Sequence, residues 1–181
     1  DVGGEFTGAG GVSANRIAKW DGSSWTALGS GVNSRVWALA LDVLGNVYAG
    51  GEFTTAGGVS ANRIAKWNGS SWSPLGSGMN GEVDALLVDG SGNLYAGGGF
   101  TTANGASANF IAKWNGSSWS ALGSGMNAWV LALAFDGLGN LYAGGGFTTA
   151  DGLTVNRIAK WDGSSWSALG SGMNGDRKSV V

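Results

Sequence analysis

Glu82 and Asp84 are the residues whose types and spacing come nearest to a catalytic pair in this chain. Two carboxylates roughly 5 to 10 Å apart can act as acid and base in glycoside hydrolysis, and alternate residues of a strand lie about 7 Å apart on one face. Nothing in the sequence shows how either carboxylate would be tuned for such chemistry, so the expectation is a protein that is not an enzyme. The sequence has no histidine and no cysteine. That removes imidazole bases, thiolates, disulfides and the usual zinc, copper and haem ligands, and no cofactor or metal is expected. Asp42-x-x-Gly45-Asn46, Asp89-x-x-Gly92-Asn93 and Asp136-x-x-Gly139-Asn140 carry oxygens suited to calcium, but they are shorter than an EF-hand loop and lack its glutamate. Turn formation through local side-chain hydrogen bonds is the preferred reading of these segments. Asn68-Gly-Ser and Asn115-Gly-Ser fit a glycosylation acceptor, although other copies hold Asp at the same place. Ala96-Gly-Gly-Gly-Phe100 is followed by no Lys-Ser/Thr pair and is no phosphate loop.

The elements that position these residues are set by repetition. Trp20, Trp67, Trp114 and Trp161 stand 47 residues apart, and the surrounding sequence repeats with few substitutions. That period falls within the range of propeller blades, about 40 to 50 residues. Each copy divides into four short apolar runs separated by turn residues, the pattern of a four-stranded antiparallel blade. In the copy that begins at Val36, the first strand is Val36 to Leu41, placed innermost, and the second is Asn46 to Gly51. A loop rich in Thr, Ala and Gly leads to the third strand, Arg63 to Trp67. Asn68-Gly69 then signals a hairpin because both residues tolerate positive φ, and Ser71 to Leu75 forms the fourth strand. Pro74 places that strand at a sheet edge, where a missing N–H is tolerated. The pairs Trp20/Trp25, Trp67/Trp72, Trp114/Trp119 and Trp161/Trp166 flank these turns and are expected to pair across strands and pack on a neighbouring blade. Sugar stacking is the alternative role for them.

Positions identical in every copy are explained by packing and turns, so binding is sought where the copies differ. The differences gather before and within the first strand, at Arg35 and Trp37, Glu82 and Asp84, and Trp129. If that strand is innermost, these five residues ring one mouth of the channel, where they can contact a protein or a glycan. Drift at exposed loop ends accounts for the same variation.

Leu94-Tyr-Ala-Gly-Gly98, Ile111-Ala-Lys-Trp114 and Trp119-Ser-Ala-Leu122 resemble, in order, the double-glycine, aromatic and tryptophan strands of kelch and galactose-oxidase-central-domain propellers. The first hairpin, Leu131 to Tyr142, is instead similar to the repeat of NHL propellers. The resemblance implies an all-β propeller of four 47-residue repeats with four antiparallel strands each, partial or four-bladed. Families of this shape include interaction scaffolds, secreted bacterial repeat proteins and a copper oxidase, whose chemistry needs the missing His and Cys.

The chain has 181 residues, 43% of them apolar and 12% charged, with a net charge of -2. This suffices for one buried core and offers no basic surface for nucleic acid and no span for membrane insertion. Low charge with abundant Gly, Ser, Thr, Asn and Trp fits an extracellular or cell-surface protein. One domain is expected over 1–175, with repeats at about 1–35, 36–82, 83–129 and 130–175. Residues 176–181 match no other copy and read as the translation of a sequencing-adapter stretch, so they are expected to be a non-native tail on a metagenomic fragment. Ser179 to Val181 could imitate a missing first strand and close a four-bladed ring. The competing expectation is an open arc that associates with a second copy through its blade edges. The leading functional expectation is a non-catalytic scaffold or binding platform, and the alternative is a carbohydrate-binding propeller using Trp37 and Trp129.

Overall fold

The structure, a computed structural model, describes residues 1–175; the readings made of 176–181 lie outside the described residues. The described residues are all-β and form a propeller-like series of antiparallel sheets. The first complete sheet orders Val36–Leu41, Val47–Gly51, Ile64–Trp67 and Trp72–Pro74 from inside to outside. The next two sheets begin on Val83–Val88 and Val130–Phe135 and repeat that order. The first repeat contributes a three-stranded sheet of Val2–Gly3, Ile17–Trp20 and Trp25–Ala27. Pro74 lies on the outermost strand, as its missing donor requires.

The loop between second and third strands carries a structure that its composition hid. Thr55–Ala56 pairs with Val59–Ser60 in a two-stranded ribbon, and every repeat builds the same ribbon. Its two-residue turn needs positive φ twice, which Gly57 and Gly58 supply at 59° and 81°. Asn104-Gly105 and Asp151-Gly152 do the same in later copies. At Asn68-Gly69 only the glycine has positive φ, at 97°. Asn68 works there through its side chain, whose Oδ1 accepts from the amides of Ser70 and Ser71 at 2.9 Å each.

The core lies between blades rather than within them. Trp67 and Trp72 sit directly opposite each other, their rings 5.5 Å apart. The second tryptophan of each later pair donates its indole N–H to a leucine carbonyl of the preceding blade. Trp72 reaches Leu28 at 2.8 Å, Trp119 reaches Leu75 at 3.0 Å and Trp166 reaches Leu122 at 3.0 Å. Burying one such ring removes roughly 150 to 250 Å² from water, worth on the order of 4 to 6 kcal/mol before entropy. The blades are stitched together by the Gly-Met-Asn segment, which is Gly31-Val32-Asn33 in the first copy. Asn80 accepts on Oδ1 from the amides of Thr101 and Thr102 and donates through Nδ2 to Thr101 Oγ1. Asn33 and Asn127 make the same three bonds.

Candidate ligand-binding face

The inner strands expose one face, and a β-bulge shapes it. In each complete sheet the register slips between the first and third residues of the inner strand, at Val36/Ala38, Val83/Ala85 and Val130/Ala132. The extra residues are Trp37, Asp84 and Leu131, which occupy equivalent places in three successive blades. A bulge leaves one residue without a ladder partner and redirects its side chain. All three line a single cavity of about 640 Å³. Its floor is apolar, built from Leu39, Leu86 and Leu133 of the same strands, and Phe135, Tyr142 and Ile158 of the last blade complete the wall.

The other three sequence-predicted residues immediately precede the inner strands and do not line the cavity. Arg35 Nη2 donates to Glu5 Oε1 at 2.9 Å and Nη1 lies 3.9 Å from Glu52 Oε2. The Glu5 hydrogen bond, then the charges of Glu5 and Glu52, raise the affinity of the guanidinium for its proton. Its carbon lies 5.6 Å from the centre of the Trp37 ring, so Arg35 stands beside a residue that lines the cavity. Glu82 and Trp129 flank Gly99, since a Cβ built there would stand 3.4 Å from both side chains. Gly99 takes the place of Glu5 and Glu52 in the earlier copies, and the missing side chain makes room for the indole. Trp37 and Trp129 are 44% and 48% exposed, whereas Trp72, Trp119 and Trp166 are buried between blades.

The structure thus gathers Trp37 and Asp84 into the cavity and leaves Arg35, Glu82 and Trp129 outside its lining. It corrects the paired-carboxylate geometry: Glu82 precedes the strand and Asp84 is the bulged residue, so strand alternation does not place them on one face. Leu131, Glu5 and Glu52 join the face without having been singled out. Leu131 was hidden because it continues an apolar run, and the two glutamates because they sit at strand ends beside repeated glycines.

The calcium-like segments are turns whose carboxylates are engaged within the loop. Asp136 Oδ1 accepts from the amides of Leu138 and Asn140 at 2.9 Å each, and Oδ2 accepts from Asn140 Nδ2 at 2.6 Å and Tyr142 Oη at 3.3 Å. The Asn140 side chain, against an opposing effect of burial, and then the loop amides lower this carboxyl to about 2. Burial alone would raise Asp42 and Asp89, but the Asn46 and Asn93 hydrogen bonds, the Leu44 and Ser91 amides and the charges of Lys66 and Lys113 together hold both below the usual carboxylate value. Among the described residues, no group of three or more Asp or Glu side chains is placed to hold a metal ion.

Comparison of the chain with the models of known protein families and with curated proteins finds no match to either.

Proposed function

We propose that this chain is a non-catalytic, kelch-like propeller module of a secreted or cell-surface protein, whose inner face binds a protein or glycan ligand. The observation that carries the reading is that equivalent bulge positions, repeated in backbone but different in side chain, meet in one cavity. Trp37, Asp84 and Leu131 give three adjacent blades an aromatic, an acidic and an aliphatic group over a shared apolar floor. Such a surface suits a ligand with an apolar body. The repeated residues account for folding and leave these positions for recognition.

A glycan is the second reading, favoured by the exposed rings of Trp37 and Trp129, whose faces can stack on sugar. Glycan and peptide arrays probed with the purified chain separate the two. The expected result is retention of one ligand class, weakened at least about 10-fold by Trp37→Ala. Retention of neither class, or binding indifferent to Trp37→Ala and Trp129→Ala, would overturn the reading.

A further inference from the structure

Each buried cluster between blades is made of two dissimilar halves. Between the third and fourth repeats, Ile111, Leu122 and Met126 form a trailing half, and Phe147, Ala150 and Trp166 of the next blade form a leading half. The two earlier junctions use the equivalent residues in the same way. The described residues also carry one trailing half and one leading half that have no counterpart. Met173 stands where Met79 and Met126 are buried, and it is 56% exposed. Ile158, which also bounds the cavity described above, and Leu169 are only partly buried, although Ile111 and Leu122 are buried, so a partner on this face would also close that end of the cavity. At the other end Phe6, Ala9 and Trp25 are partly exposed, whereas Phe53, Ala56 and Trp72 are buried.

We propose that two copies of this chain join head to tail, the trailing face of the last repeat of one seating the leading face of the first repeat of the other. The occupant is specified by continuity, because three interior junctions already show which surface covers a trailing half. The match extends to directional bonds. Trp72, Trp119 and Trp166 each donate to the leucine 44 residues earlier in sequence, and Trp25 has its equivalent acceptor in the Leu169 carbonyl of a second copy. Asn174 stands where Asn33, Asn80 and Asn127 clip the threonine-bearing loop of the next blade, and Thr7 of the second copy offers that loop. The contact is heterologous, so each copy uses two different patches.

The test uses sedimentation velocity on the full chain over micromolar concentrations. The wild-type chain associates as concentration rises, and Trp25→Ala and Met173→Asp each weaken association at least about 10-fold. An equimolar mixture of the two variants regains a complex holding one copy of each, because each keeps the face that the other has lost. Thermal melts confirm that the variants fold, and Ala9→Arg and Leu169→Asp replace either one that does not. A wild-type chain that stays monomeric, a variant that associates as the wild type does, or a mixture no better than its components overturns the proposal.

Discussion

At the residue scale, side-chain oxygens hold turns. Asp89 binds the amides of Ser91 and Asn93 and the Asn93 side chain, so Asp89→Ala leaves three donors without their acceptor. The expected loss is about 1 to 3 kcal/mol, read as a lower urea midpoint. Trp72→Phe removes the bond to Leu28 and part of a buried ring, at an expected cost of about 1 to 3 kcal/mol. Trp20→Phe, at a ring 46% exposed, changes stability by about 0.5 kcal/mol or less. The pH dependence follows from the same turns. Asp136 falls from 3.8 to about 2 on folding, and the serine amides hold Asp21 and Asp162 lower still. Folded values below unfolded ones mean stability that is complete above 3.8 and is lost as pH falls from there toward the folded values. With no histidine, the urea midpoint stays level between about pH 5 and 8 and drops below about pH 4. A transition near pH 6 would contradict this account.

At the element scale, glycines in the second strand make blade packing close. A Cβ on Gly97 would lie 2.5 Å from Val130 Cγ1 of the next blade, whereas at the equivalent Gly144 the nearest atom is 3.9 Å away. Gly97→Ala is therefore expected to destabilise by about 1 to 3 kcal/mol and Gly144→Ala by about 0.5 or less, in parallel melts. The four main strands were legible in the sequence because apolar runs alternate with Gly, Asn and Asp turns. The edge position of Pro74 was legible because proline has no N–H to give to a second strand partner. The ribbon was not, because Thr55-Ala56 and Val59-Ser60 are too short to show a period. The bulge was hidden too: Val36 to Leu41 is apolar throughout, so no alternation exists for a register slip to interrupt.

At the scale of the whole molecule, repetition separates what folds from what recognises. The sequence named Arg35, Trp37, Glu82, Asp84 and Trp129 by their departure from the repeat. It could not sort them into those that line the cavity and those that do not, because that division depends on the bulge and on Gly99 giving way to Trp129. The tryptophan pairs already pointed to packing on a neighbouring blade; what the sequence did not show is that most of the core lies there, which leaves a leading and a trailing face uncovered among the described residues. The most direct test of recognition at the variable positions is an NMR titration of the indole N–H signals with whichever ligand class the arrays retain. The chain has ten tryptophans, and only Trp37 and Trp129 belong to the variable face. The account predicts that ligand shifts the signals of Trp37 and Trp129 while those of Trp72, Trp119 and Trp166, held by leucine carbonyls, stay in place. Shifts confined to the interblade indoles, with Trp37 and Trp129 unmoved, would contradict it.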